Sequence, residues 1–363
     1  MKAVRARAPT RIDLAGGTLD IPPLYLFHEP ALTVNVAIDV GAMATITTSK
    51  RLVIVSHDQN ESATWDGPQL ISWSEYPGLE LVSRLVKSFG PKENLRVEVR
   101  SEAPAGSGLG GSSAIAIALT RALAEWCDVR LSTEELVDWA KAIETQTIKV
   151  PTGYQDYWGA VYGGVHAYEM GLNGRVRAAP LGSAAFHREL ERHLLLVYTG
   201  RPRFSGMNNW ELFKRHIDGE PATIEFFERL KENALLMKEA LESEDISRAA
   251  EALNRDWRTR RAMLPTMTTG EIERVIEEGP KHGMLAARVC GAGGGGCVAL
   301  LSDPARREGL ARRIQEMKMD VLPARISETG VIVERDAGPR QAITRSNFRR
   351  GEKGMGDTLG AGG

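Results

Sequence analysis

The strictest alternation in the chain lies at residues 95–100, Leu-Arg-Val-Glu-Val-Arg. Leu95, Val97 and Val99 fall on one face of an extended segment, and Arg96, Glu98 and Arg100 on the other. That period of two predicts a half-exposed strand in an antiparallel or mixed sheet. Residues 3–8 and 31–56 also read as strands, the second stretch rich in β-branched residues and broken by Gly41. A helix is predicted over 78–89, and another over the small-residue apolar run 112–126. The next helix opens with a capping box, Ser132 and Glu135, and runs to about Thr147. A loop over 151–164 and a hairpin-like segment near 165–180 follow.

The texture changes beyond residue 190. His-Leu-Leu-Leu-Val-Tyr-Thr, 193–199, predicts a buried strand, and helices are predicted at 222–243, 246–262 and 269–282. The run Ala-Ala-Arg-Val-Cys, 286–290, predicts a strand leading through six residues, five of them glycine, into a second strand, Cys-Val-Ala-Leu-Leu. A helix at 304–317 and two short strands complete the pattern. The last stretch has little to bury and predicts a flexible tail over 336–363. No internal repeat is visible.

Composition narrows this. A chain of 363 residues exceeds one ordinary core and suits two domains, expected at 1–185 and 186–335. Hydrophobic residues make up 42% and charged residues 26%, which predicts a packed globular protein. A net charge of −1 argues against wholesale nucleic-acid binding, so an anionic ligand needs locally placed basic groups. The cysteines, Cys127, Cys290 and Cys297, form no C-x-x-C pair, and the histidines show no metal-ligand spacing. The N-terminal segment lacks a signal-peptide core and no stretch is apolar enough to span a bilayer, so a cytoplasmic, membrane-free protein with reduced thiols is expected. Nothing sets the oligomeric state, and a homodimer is left open.

The first chemical signal is Pro104-Ala105-Gly106-Ser107-Gly108-Leu109-Gly110-Gly111-Ser112-Ser113, placed between a strand and a helix. Its glycines leave backbone N–H groups uncovered, and the following helix adds a positive dipole end, so an anion can approach closely. Ser112 and Ser113 add hydroxyls for phosphate oxygens or magnesium. A P-loop requires lysine where Ser112 stands. A dinucleotide turn matches Gly106, Gly108 and Gly111, but the preceding strand alternates and Pro104 interrupts the turn. A plain loop capping a helix is the remaining alternative.

The same segment resembles the second motif of the GHMP kinases (galactokinase, homoserine kinase, mevalonate kinase and phosphomevalonate kinase), with one extra residue between Leu109 and the serine pair. Either Ser112 or Ser113 therefore takes the metal-facing role. Residues 8–20, Ala-Pro-Thr-Arg-Ile-Asp-Leu-Ala-Gly-Gly-Thr-Leu-Asp, resemble the family's first, substrate-lining motif, and 291–296 its third. The first motif is most similar to that of the heptose 7-phosphate kinases. Gly153-Tyr154-Gln155-Asp156 is similar to their Gly-Lys-Gln-Asp segment, with Tyr154 in place of the lysine. The resemblance implies an α+β fold of two domains, ribosomal-protein-like at the N-terminus and ferredoxin-like at the C-terminus, with ATP and Mg2+ bound at the cleft between them.

The resemblance also implies roles. Asp156 becomes the base that takes the hydroxyl proton; without it, an aspartate in so turn-rich a loop reads as an Asx-turn. Glu144 shares a helix face with Val137 and Ala140, where a carboxylate calls for a cation, and becomes the magnesium ligand beside Ser112 or Ser113. Arg11 faces the catalytic aspartate and neutralises charge. Thr18, Asp20 and Gly153 are expected at the substrate, Gly293 and Gly294 near the phosphates, and Arg201 and Arg203 are candidates for a phosphate on the substrate. The expected activity is transfer of the ATP γ-phosphoryl group to a sugar or sugar-phosphate hydroxyl, at C1 of a heptose 7-phosphate. The alternatives are galactose, fucose or mevalonate as acceptor, or a sensor of sugar and ATP without turnover.

Overall fold

A computed structural model describes residues 2–201 and 207–336. Arg203 and the expected tail, apart from Asp336, lie outside the described residues. Twelve strands are described: β1 (Ala3–Ala15), β2 (Ala31–Thr48), β3 (Leu52–Ser56), β4 (Glu61–Trp65), β5 (Leu95–Ser101), β6 (Val165–Met170), β7 (Val176–Pro180), β8 (Leu194–Tyr198), β9 (Met284–Val289), β10 (Cys297–Ser302), β11 (Asp320–Leu322) and β12 (Ile332–Asp336). The described helices are α1 (Glu80–Phe89), α2 (Gly111–Trp126), α3 (Thr133–Ile148), α4 (Gln155–Tyr162), α5 (Ala184–His193), α6 (Met207–Ile217), α7 (Pro221–Glu242), α8 (Ile246–Met263), α9 (Gly270–Glu278) and α10 (Arg307–Glu316).

The strands form an eight-stranded sheet, ordered β12-β1-β2-β5-β3-β4 with β6 and β7 branching from β2, and a four-stranded sheet, ordered β11-β8-β10-β9. The long β2 serves two neighbours on one edge: its second half pairs with β5 and its first half with β6. Only β3 and β5 pair in parallel in the first sheet. The alternation at 95–100 does what its period requires. Leu95, Val97 and Val99 are fully buried against the helical layer.

α2 is buried on nearly every side. Its alanines hold it close to β1 and β2 and fix the start of the helix beside the glycine loop. α3 begins with the expected capping box, Ser132 Oγ accepting from the Glu135 amide. A second core lies between the two sheets and a third under α7 and α8. Two expectations are corrected. The segment after Gly153 is not a loop but α4, which places Asp156 in the first turn of a helix. The last strand, expected with the C-terminal part, pairs antiparallel with β1 in the first sheet, Ala3 opposite Asp336. No described helix is long and apolar enough to cross a membrane.

Candidate active site

The glycine loop lies between β5 and α2, and two other segments hold it in shape. From β1, the Arg11 amide donates to Leu109 O at 3.0 Å and Arg11 Nη1 to Gly108 O at 2.7 Å. From β10, the Cys297 amide donates to Ser107 O at 2.7 Å. That last contact requires glycine at 296: its φ is +79°, and a Cβ there would meet Ser107 O at 2.6 Å. All three glycine-bearing motifs thus touch. Gly293 and Gly294 pack against Met267 and Thr266.

Two cavities open beside the loop. The larger, about 370 Å3, runs from Asp58 and Gln59 past Pro77 and Leu81 to the whole of Pro104–Gly108 and Gly110–Ser113. The smaller, about 120 Å3, is lined by the first motif (Asp13, Gly17, Thr18 and Asp20) and by Val150–Gly153 and Gln155–Tyr157. Arg11, Ser113, Glu144 and Asp156 line both.

At that junction, Arg11 Nε and Nη2 both donate to Asp156 Oδ1, at 2.8 and 2.5 Å. The arginine is buried while the carboxylate keeps about a quarter of its side chain exposed. Burial disfavours the Arg11 charge, but the carboxylates of Asp156 and Asp13 outweigh it, and the guanidinium holds its proton more tightly than usual. Both its contacts fall on Oδ1, which leaves Asp156 Oδ2 for another donor.

Glu144, on α3, is buried and accepts from Ser113 Oγ at 2.8 Å. It has no ion pair among the described residues. Burial raises its pKa, and the nearby hydroxyls of Tyr157, Ser112 and Ser113 only partly offset this. A buried carboxylate with no cation beside a serine hydroxyl is a hard-oxygen donor set suited to magnesium. Among the described residues no cluster of three or more His, Cys, Asp or Glu side chains exists, so a metal here would draw its remaining ligands from the nucleotide and water.

Asp20 caps α4 from a distance. Its Oδ2 accepts from the Tyr154 amide at 2.6 Å and the Gln155 amide at 2.8 Å, and α4 has no cap of its own. The close approach depends on Gly153, whose Cβ would stand 2.1 Å from Asp20 Oδ2. Arg201 lines neither cavity; its side chain pairs with Glu271 at 3.1 Å.

One group of site-supporting residues was absent from the sequence reading. Asp13, on β1, pairs with Arg288 Nη2 of β9 at 2.7 Å, and Arg288 also donates to the Asp13 carbonyl. Arg288 Nε lies 2.7 Å from Asp256 Oδ2 on α8, where Arg260 Nε binds the same carboxylate at 2.8 Å. Arg260 Nη2 reaches on to Gly17 O at 2.5 Å. All four side chains are buried. A signal existed: Arg288 is the one charge in an apolar strand pattern, and such a residue needs a buried anion.

Residues 79–164 match the model of the GHMP kinases N terminal domain, and 237–318 match GHMP kinases C terminal. The chain is 28% identical over 346 residues to a D-glycero-alpha-D-manno-heptose 7-phosphate kinase of Campylobacter jejuni, covering 91% of this chain and 98% of that protein. A D-glycero-D-manno-heptose 1-phosphate kinase structure from Bacteriodes thetaiotaomicron superimposes with a TM-score of 0.75 at 24% identity, covering 91% and 98% of the two chains. Lactococcus lactis galactokinase complexed with galactose gives 0.70 at 19% identity, covering 91% and 95%.

Proposed function

The chain belongs to the GHMP kinases, and we propose that it transfers the γ-phosphoryl group of ATP to the C1 hydroxyl of a heptose 7-phosphate. The observation that carries this reading is the meeting of two cavities at Arg11, Ser113, Glu144 and Asp156. The larger cavity suits the nucleotide, its glycine-loop amides facing the phosphates. The smaller suits the acceptor, its lining rich in carboxylates that take hydrogen bonds from sugar hydroxyls. The same reading divides the chain near residue 185, with the third glycine motif in the second part.

The acceptor hydroxyl donates its proton to the free oxygen of Asp156. Its oxygen forms the new bond to the γ-phosphorus as the bond to the β–γ bridging oxygen breaks, and ADP leaves. Arg11 keeps Asp156 in place and offsets charge gathering on the transferred group. Glu144 with Ser113 would hold a magnesium ion, which neutralises phosphate charge when bound. α4 sets the position of Asp156, and Asp20 sets α4.

One observation favours a second acceptor. Arg11 is the only cation among the described residues lining the smaller cavity, and it is already paired with Asp156. Tyr154 also stands where the similar segment has lysine. An unphosphorylated sugar fits such a lining. ADP release with Mg-ATP across heptose 7-phosphate, unphosphorylated heptose, galactose, fucose and mevalonate decides between them. Asp156→Asn is expected to lower substrate-dependent turnover by ~10²–10⁴-fold. Turnover undiminished in that variant would remove Asp156 as the proton acceptor.

A further inference from the structure

Six charges of alternating sign run from the junction of the cavities into α8: Asp156, Arg11, Asp13, Arg288, Asp256 and Arg260. Their sum is zero, and every member except Asp156 is almost completely buried. Arg11 stands between two carboxylates. Asp156 binds it directly, and Asp13 follows two residues later on β1, on the same face of the strand. In so dry a setting the charge of Asp13 also acts on the guanidinium that Asp156 binds.

We propose that Asp13 is a positioning residue for phosphoryl transfer: clamped by Arg288, it anchors the part of β1 that carries Arg11 and so fixes the guanidinium that holds Asp156. Three facts support this. Asp13 is ionised; burial alone would raise its carboxyl, but Arg288, helped by Arg260 and Arg11, holds it down to about 2. Asp13 cannot drift toward Arg11 or away from it, because Arg288 grips both its side chain and its carbonyl. Arg288 in turn cannot follow Asp13, because Asp256, itself held by Arg260, fixes it from α8, and Asp256 Oδ1 also receives the Gly16 amide at 3.4 Å. The rate of transfer therefore depends on Arg288 and Asp256, residues that act only through others.

The inference rests on the reading of Asp156 as proton acceptor. It is tested by a double-mutant cycle in the full chain with Mg-ATP and the best acceptor of the panel. Asp13→Asn is expected to lower kcat by ~10–100-fold, a part of what a general base contributes, with KM for ATP within about threefold. Because this change strands Arg288, Asp13→Asn/Arg288→Gln is made alongside; it removes one charge of each sign and is expected to fold, by far-UV circular dichroism and thermal unfolding, with the same loss of kcat. In an Asp156→Asn background the loss from the paired change should fall below about twofold, because the carboxylate that Asp13 helps to position is gone. Wild-type kcat in the folded paired variant overturns the proposal. So does an equal loss in the Asp156→Asn background, which marks a structural effect independent of the base. Full turnover in Asp156→Asn alone would instead strike at the reading of Asp156 and leave the cause separable.

Discussion

At the scale of single residues, the candidate site divides into groups that carry a local signature and groups that do not. Glu144 was legible because a carboxylate on the apolar stripe of Val137 and Ala140 contradicts the helix pattern around it. Whether Ser112 or Ser113 partners it was not legible, since neighbouring serines differ by about 100° around the helix and only the docked helix settles which faces α3. In the structure Ser113 Oγ donates to Glu144 at 2.8 Å, and the Ser112 hydroxyl also lies near that carboxylate. The raised pKa of Glu144 makes a testable statement. A carboxylate whose folded pKa lies above its unfolded value gains stability as pH falls, so at neutral pH the buried charge costs stability. Glu144→Gln keeps an oxygen for Ser113 and removes that charge. The expected result, by thermal unfolding without nucleotide or metal, is a Tm higher by on the order of 2 °C. The same variant should lose the stabilisation by Mg-ATP seen in the unsubstituted protein, and most of its turnover. A Tm that drops would mean the carboxylate is already compensated.

At the scale of elements, strands and long helices followed from periodicity, but α4 did not. Its eight residues begin after Pro151, Thr152 and Gly153, all turn-forming, and no side chain within the helix caps it. The cap comes from Asp20, more than 130 residues earlier, so no window along the chain contains both halves of the signal. This explains why Asp156 read as a loop residue, and why only the family resemblance singled it out. Asp20→Ala would leave the amides of Tyr154 and Gln155 without their acceptor, at a cost of about 1–3 kcal/mol. Faster hydrogen exchange at those amides is expected, with reduced kcat because Asp156 loses its fixed place. Asp20→Asn keeps an oxygen acceptor and should recover much of the lost stability in denaturant titration. Equal losses in both variants would show that the charge, rather than the hydrogen bonds, holds α4.

At the scale of the whole molecule, two sheets and three apolar clusters share one buried ionic network, which ties β1 to β9 and α8. The fold class was readable from the order of strand and helix patterns and from the three glycine motifs. The network was not, because its members lie up to 275 residues apart and share no spacing. It has a consequence for acid stability. The Asp13 carboxyl, held to about 2, sits below the ~3.9 of an unfolded aspartate. Its contribution is thus complete above about pH 4 and is lost as pH falls toward 2. Urea midpoints should fall through that window, and more shallowly in Asp13→Asn/Arg288→Gln; identical slopes would remove Asp13 as a contributor. The pairing of β12 with β1 reaches further than the finished structure. Because β1 is completed by a strand about 330 residues further along the chain, that edge of the sheet closes late in folding. During synthesis the edge of β1 that β12 later covers stays open to strangers until β12 has emerged.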